Sequence, residues 1–270
     1  MLDLLRYGFI WHALIGCLLT GVACGLIGSY VATRRMVFIA GGVAHASLGG
    51  VGLCALLGGA PIVGATLFGV LTACGIHHLS IKGRVRSDSA IAMWWAVGMS
   101  LGVICLFLSP KYLPSLSSYL FGNILYATGS DLWFLSVVTL FVAVLFIFRL
   151  PQIVALAFDP VFAHSGGMKV DRLELILLIL TALCIVACLR TVGIVMVIAL
   201  MSIPQTIATQ VFDGFKSVAI ASVLVSILAC LVGLWLSYTW NIPSGPAIVL
   251  VCVVIYLAVY AIKKAVRRFL

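Results

Sequence analysis

Few side chains in the apolar part of this sequence could do chemistry, and the first of them is a histidine. His45 stands in the run Val37–Gly50, among glycine, alanine and valine. A neutral imidazole in such surroundings can ligate a borderline metal ion such as Zn²⁺. It can equally hydrogen-bond to a neighbouring helix, and one ligand does not make a site. Both interpretations of His45 stay open.

The nine cysteines all fall within apolar runs and include no C-x-x-C pair. Cys184 and Cys188 are four residues apart, so a helix would place both on one face, where they could share a metal ion. Small buried cysteines usually only pack, and packing is the interpretation we favour. The odd count and the apolar surroundings argue against a disulfide framework.

A polar stretch interrupts the apolar run that ends near residue 211. Pro204 lacks a backbone N–H and predicts a kinked helix. Gln205 and Thr209 are four residues apart and would share a face. Together with Ser202 they are candidates to line a hydrophilic path. The alternative is a kinked helix that only packs in a bundle.

A second polar region, Arg149–Arg172, can form a short helix. Asp159 is a good N-cap, Pro160 suits the first helical position, and Gly166 with Gly167 would end the helix after two turns. Such a helix is suited to contact a soluble partner. An ordinary connecting loop is the alternative.

The composition decides which elements position these residues. Of the 270 residues 64% are hydrophobic and 9% charged, and the mean hydropathy is +1.29. That is too little polar surface for a soluble globule, and the pattern also excludes disorder, coiled coil and collagen. We predict an all-α, polytopic membrane bundle that forms one transmembrane domain over residues 1–270, with an inner loop at about 149–172.

Nine apolar runs are long enough to cross a bilayer, although eight spans would also fit. The second run contains five glycines, which predict a kinked or partly unwound helix. In the first and fourth runs, the pairs Gly21/Gly25 and Gly98/Gly102 predict that neighbouring helices approach closely. The segment Ser109–Ser130 is predicted to be a surface helix or a re-entrant piece. The predicted runs are Gly8–Ala32, Val37–Leu57, Ile62–Ser80, Ser89–Leu108, Leu132–Phe148, Leu173–Leu189, Val192–Val211, Val218–Trp240 and Ala247–Ile262.

The charges predict the orientation. When the loops are placed on alternating sides, 13 Lys and Arg residues fall on one side and 3, namely Arg6, Lys111 and Arg190, on the other. The positive-inside rule then places the N-terminus outside and the C-terminus in the cytoplasm. The net charge of +9 is explained by anionic lipid headgroups and needs no nucleic acid.

All seven acidic residues fall in loops or at the ends of spans. A carrier driven by protons or sodium usually has a carboxylate within the bilayer, so this distribution argues against that class. An intramembrane enzyme is disfavoured as well, because His45 has no acidic partner.

Several short motifs, in a common order over some 220 residues, resemble one family: the permease subunits of bacterial ABC importers for zinc, manganese or iron. The matching segments are Gly25–Gly28 before Arg34-Arg35-Met36, Ala44-His45-Ala46, Ser87–Ile91, Leu120–Leu125, Phe158-Asp159-Pro160 with Ala163 and Gly167, Ile203-Pro204, and Pro243–Pro246.

The resemblance implies a type II importer fold and a homodimer of permeases in the bacterial inner membrane, working by alternating access. It also implies an external metal-binding protein and a pair of cytoplasmic ATPases docked on a coupling helix, which maps to Phe158–Gly167. The chain has no G-x-x-x-x-G-K-[ST] phosphate loop, so it would not hydrolyse ATP itself.

The sequence departs from the family at Gly41, where many relatives have an aspartate four residues before the histidine. A site without that carboxylate favours Zn²⁺ over the harder Mn²⁺. The resemblance therefore implies an importer of divalent metal as transported cargo, with zinc preferred and manganese or iron as alternatives. A permease for a metal chelate (siderophore, haem or cobalamin) and an ATP-independent carrier or channel are the rival functions.

Overall fold

A computed structural model describes residues 8–81, 83, 85–109, 122, 124 and 127–269 of the chain. These residues form an all-α bundle with nine helical segments that are long and apolar enough to cross a membrane. The prediction of a polytopic helical bundle is thereby confirmed. The helices are α1 Gly8–Thr33, α2 Phe38–Leu57, α3 Pro61–Ile81, α4 Ser87–Leu108, α5 Gly129–Phe158, α6 Pro160–Ser165, α7 Val170–Val192, α8 Ile194–Leu200, α9 Ile203–Val211, α10 Phe215–Trp240 and α11 Ser244–Phe269.

The centre of the bundle is α2, in which 14 of 20 residues are buried. It contacts α3, α4, α7 and α8. Contrary to the prediction, its glycines do not unwind it, and it runs as one continuous helix. The glycines instead let other backbones approach: a Cβ on Gly50 would strike the Gly64 carbonyl of α3, and a Cβ on Gly49 would lie 2.8 Å from the Gly98 carbonyl of α4.

A second set of glycine contacts joins α1 to α10. A Cβ on Gly25 would lie 2.6 Å from the Cα of Val223, and a Cβ on Gly21 would lie 3.1 Å from the Cα of Ile227. The close contacts predicted at Gly21/Gly25 and Gly98/Gly102 are therefore confirmed. Since lipid tails are as apolar as the side chains, close packing of this kind is a main source of helix association in a membrane.

Helix α5 is longer than the span predicted to end at Phe148. It bends at Arg149 (φ −119°, ψ 15°) and continues to Phe158. The bend has a covalent cause, because Pro151 lacks the N–H that would bond to the carbonyl four residues earlier. The Arg149 Nη1 donates to Oε1 of Gln152 at 2.9 Å across the bend.

The predicted seventh span is divided into α8 and α9. The break at Met201-Ser202 directly precedes Pro204, which stands in the first turn of α9, where its missing N–H costs no hydrogen bond. The Ser202 hydroxyl donates to the Ile198 carbonyl at 2.7 Å and thus caps part of the interrupted backbone. Pro204 therefore breaks the helix more completely than the predicted kink.

Some predictions fall on residues outside the described ranges. Most of Ser109–Ser130, including the motif Leu120–Leu125, belongs to this group. So do Arg6, Lys82, Arg84 and Lys111, four of the basic residues used for orientation. The placement of the two termini stays a prediction.

Replacing Gly50 with alanine should destabilise the bundle, because the new methyl group would meet the Gly64 backbone, which cannot move aside. Overpacking of this kind typically costs about 1–3 kcal/mol. The thermal unfolding midpoint of purified protein in detergent should therefore fall.

The matched control is Gly129→Ala, where a Cβ would meet no atom within 4 Å. Equal midpoints for Gly50→Ala and Gly129→Ala would contradict the assigned α2–α3 contact.

Candidate functional site

The short helix α6 lies between two spans and is capped as its sequence predicts. Asp159 accepts a hydrogen bond from the Phe162 N–H at 2.9 Å, and Pro160 opens the helix. Gly166 ends it after six residues, and Gly167 follows with φ +80°. That positive φ favours glycine, since a Cβ would be strained there. The predicted local structure of this segment is confirmed.

One side of α6 is anchored and the other is open. Ala163 is buried, whereas Val161 and Phe162 are 78% and 72% exposed. Phe158 is exposed as well, and its ring packs edge-to-face against Phe215 at a centroid distance of 6.4 Å. Because Phe215 is the first residue of α10, the segment before α6 touches a third span. The exposed apolar side chains form a surface that a protein partner could cover.

An ion pair holds the helix that follows α6. Arg34, just after α1, donates from Nη2 to Oε1 of Glu174 in α7 at 2.7 Å. Both side chains are largely buried, at 19% and 13% exposure, so the pair is only weakly screened by water. It ties the start of α7 to the end of α1.

His45 lies on the half-buried side of α2. Its ring stacks on Trp95 of α4 with centroids 4.7 Å apart and planes 2° from parallel. Its Nδ1 is buried and has no hydrogen-bond partner within the described part of the chain. The alternative, an interhelical hydrogen bond of His45, is therefore not made by Nδ1 within these residues. Metal ligation by His45 stays a prediction.

Gly41 lies one turn before His45 and faces α8. A Cβ built on it would meet the Ile198 Cδ1 at 3.4 Å, which is an ordinary contact distance. Position 41 therefore has room for a Cβ, in contrast to Gly50 on the same helix.

The three polar residues near the break occupy different surroundings. Ser202 is bonded to its own helix turn, and Gln205 is buried against α1, where its Nε2 donates to the Cys24 carbonyl at 3.1 Å. Thr209 is exposed and lines a cavity of about 660 Å³. Lys263 and Lys264 line the same cavity, and their positive charges would repel a metal cation. A pathway role for Ser202, Gln205 and Thr209 stays a prediction.

Some contacts had no signal in the sequence. Nothing in the spacing pairs His45 with Trp95, Phe158 with Phe215, or Cys24 with the cysteines of α7. Each joins side chains on different helices, and apolar periodicity does not specify which helices are neighbours.

The model of a protein family described as "ABC 3 transport family" matches residues 6–263 of this chain. The chain belongs to the ABC 3 transport family. It is a transport permease of the bacterial inner membrane with several spans, and not itself an enzyme.

Relatives of this family member match it over nearly their whole length. It is 40% identical to an uncharacterized membrane protein, slr2045, of Synechocystis, over 98% of this chain and 94% of that protein. It is 32% identical to the manganese transport system membrane protein MntC of Listeria innocua, over 94% of this chain and 90% of that protein. A solved structure, PsaBC from Streptococcus pneumoniae in complex with Fab, matches with a TM-score of 0.83 and 28% sequence identity. The match covers 95% of this chain and 92% of the chain in that structure.

Removing the buried guanidinium by Arg34→Ala should leave Glu174 without its charged partner. Hydrogen bonds to charged groups contribute about 1.5–3 kcal/mol, so the unfolding midpoint in detergent should fall clearly. Arg34→Ala combined with Glu174→Gln should recover part of the loss.

Arg86→Ala is the matched control. Arg86 is 3.9 Å from Asp88 and both side chains are exposed, so little change is expected. A loss as large as that of Arg34→Ala would show that any arginine at a helix end has the same effect.

Proposed function

We propose that this chain is the permease subunit of an ATP-driven importer of divalent transition-metal ions. The observation that carries the proposal is the match, at 32% identity over 94% of the chain, to a protein named as part of a manganese transport system. The positions of the carboxylates also support ATP-driven over ion-driven transport. Within the described residues, the two carboxylates least exposed to solvent are Asp131 and Glu174. Both lie near helix ends and are paired with arginines, so neither is a buried carboxylate in mid-span.

The proposal requires other chains. A phosphate loop is absent from the sequence, so a separate cytoplasmic ATPase dimer would hydrolyse ATP. A second copy of the permease would complete the pathway, and an external metal-binding protein would deliver the ion. The rival chelate permease would need ATP but would carry a chelated metal. The rival carrier would take free metal ions but would need no ATP.

Coupling is assigned to α6 and its flanks: Phe158, Asp159, Pro160, Ala163, Gly166 and Gly167. The exposed Val161 and Phe162 offer the ATPase an apolar contact, and Asp159 with Pro160 fixes where the helix begins. Phe158 passes a displacement of α6 to α10 through Phe215. Closure of the ATPases would thus favour one of two bundle conformations, which is the basis of alternating access.

Phe158→Ala should uncouple ATP hydrolysis from transport while the protein still inserts. An edge-to-face aromatic pair contributes about 0.5–1.5 kcal/mol, enough to weaken the contact severalfold. Asp159→Arg should have a similar effect by removing the helix cap, typically about 1 kcal/mol. The measurement is ATP-driven metal uptake in proteoliposomes that hold the permease, its ATPase and the binding protein.

Phe148→Ala is the matched control, because Phe148 is an exposed aromatic residue of α5 ten positions earlier. Uptake that is unchanged in both Phe158→Ala and Asp159→Arg would contradict the coupling assignment.

The identity of the metal rests on two observations that favour different ions. The named relatives favour manganese. The donors on α2 favour zinc, because His45 has no carboxylate beside it and Gly41 stands one turn away. Manganese is therefore the first candidate from the relatives, and zinc is the second candidate from the residues.

His45→Ala tests whether His45 ligates the transported ion, and Gly41→Asp tests whether the missing carboxylate sets the preference for zinc. If His45 ligates the transported ion, His45→Ala should lower uptake of whichever ion is carried. Gly41→Asp adds a hard ligand on the same face and should raise Mn²⁺ uptake relative to Zn²⁺ by about tenfold, since even outer partners of a metal site commonly change affinity about 10–100-fold. Uptake of Mn²⁺, Zn²⁺ and Fe²⁺ is compared with and without ATP.

Gly41→Asn is the control, because it has the size of aspartate without its charge. An equal change in Gly41→Asp and Gly41→Asn would exclude the carboxylate as the cause. Uptake that ignores ATP in the wild type would contradict the importer itself.

A further inference from the structure

Three cysteine thiols, to which the proposed function gives no role, meet inside the bundle. The Sγ atoms of Cys24 in α1 and of Cys184 and Cys188 in α7 all lie within 4.8 Å of one another, and all three residues are buried. The Cys24 and Cys188 sulfurs are 3.9 Å apart. We propose that these three thiols form a binding site for one soft, thiophilic metal ion.

The sulfur positions match the chemistry of such an ion. Thiolates that bind Zn²⁺ lie about 2.3 Å from it, which puts neighbouring sulfurs about 3.8–4.0 Å apart. The 3.9 Å separation is already in this range, and the remaining pairs need to move by less than about 1 Å.

The cluster lies deep within the span. Arg34 pairs with Glu174 near one end of the two helices. Cys24 is ten residues before Arg34 in α1 and Cys184 is ten residues after Glu174 in α7, and because the helices are antiparallel both lie in the same direction from the ion pair. Ten residues correspond to about 15 Å of helix, about half the thickness of the bilayer core. Manganese, a harder ion, gains little from thiol ligands there.

A polar neighbour completes the surroundings of the three sulfurs. Thr20 is one helical turn before Cys24, fully buried, and its hydroxyl lies beside Cys188 without a hydrogen bond of ordinary geometry. An unpaired buried hydroxyl is costly, and in the occupied site it would donate to the Cys188 thiolate. The Cys24 backbone is fixed from the other side by the amide of Gln205.

Charge balance favours a divalent ion with two thiolates and one neutral thiol. Two S–H bonds break as two metal–thiolate bonds form, and the two protons leave to the solvent. The occupied site is then neutral overall, which suits the low dielectric of the membrane. The bound ion would link α1 to α7 at a second point, about 15 Å along the helices from the Arg34–Glu174 pair.

Titration of the purified full-length protein with Cd²⁺ tests the site. We expect one Cd²⁺ per chain, an ultraviolet sulfur-to-cadmium charge-transfer band, release of two protons, and a raised unfolding midpoint. Cd²⁺ should displace bound Zn²⁺, whereas excess Mn²⁺ should not displace Cd²⁺. Cys24→Ser should weaken Cd²⁺ binding at least about 100-fold, since loss of even an outer partner commonly costs about 10–100-fold.

Cys105→Ser is the matched control, because Cys105 is buried in α4 and belongs to no such cluster among the described residues. X-ray absorption at the cadmium edge of the wild-type protein gives a measurement that does not depend on any variant folding. Three sulfur ligands support the site. Two or fewer sulfurs, or Cd²⁺ binding of equal strength in Cys24→Ser and Cys105→Ser, would overturn it.

Discussion

The bundle depends on helices approaching until backbone meets backbone. In water, apolar side chains would be driven together whatever their shape; in lipid that force between helices is lost and close contact must replace it. Here the contact is made by glycines of α2 against α3 and α4, and by glycines of α1 against α10. With α1 and α2 held in this way, the half-buried His45 and the largely buried Arg34–Glu174 pair have fixed surroundings.

Two further constraints act on the ends of this packed centre. Every backbone group in a bilayer needs a partner, so the break before α9 occurs where Ser202 and the first turn of α9 absorb the missing bonds. The cap of α6 by Asp159 serves the same purpose outside the span. Both interruptions occur at a proline, and both place a change of direction next to a residue singled out for function.

The sequence was most informative where a signal is local. Apolar runs predicted nine spans, and Asp159-Pro160 with two glycines predicted α6, because length and capping depend on neighbouring residues only. It was least informative where the result depends on other helices. The glycines of α2 were interpreted as a weakness in the helix, since a sequence does not reveal the backbones that fill the space above them. For the same reason the meeting of Cys24 with Cys184 and Cys188 could not be foreseen, although the α7 pair was visible as a shared face.

The glycine packing of α2 also divides that helix into two kinds of position for evolutionary change. At Gly49 and Gly50 no side chain can be introduced without moving a neighbouring backbone, so sequence drift is blocked there. At Gly41, one turn from the histidine, an added Cβ would, among the described residues, meet only the Ile198 side chain, at 3.4 Å. A substitution at position 41 therefore meets the end of a side chain, which can move aside, and not a neighbouring backbone. Substitutions close to His45 and substitutions at the glycine contacts thus have different structural costs on one helix.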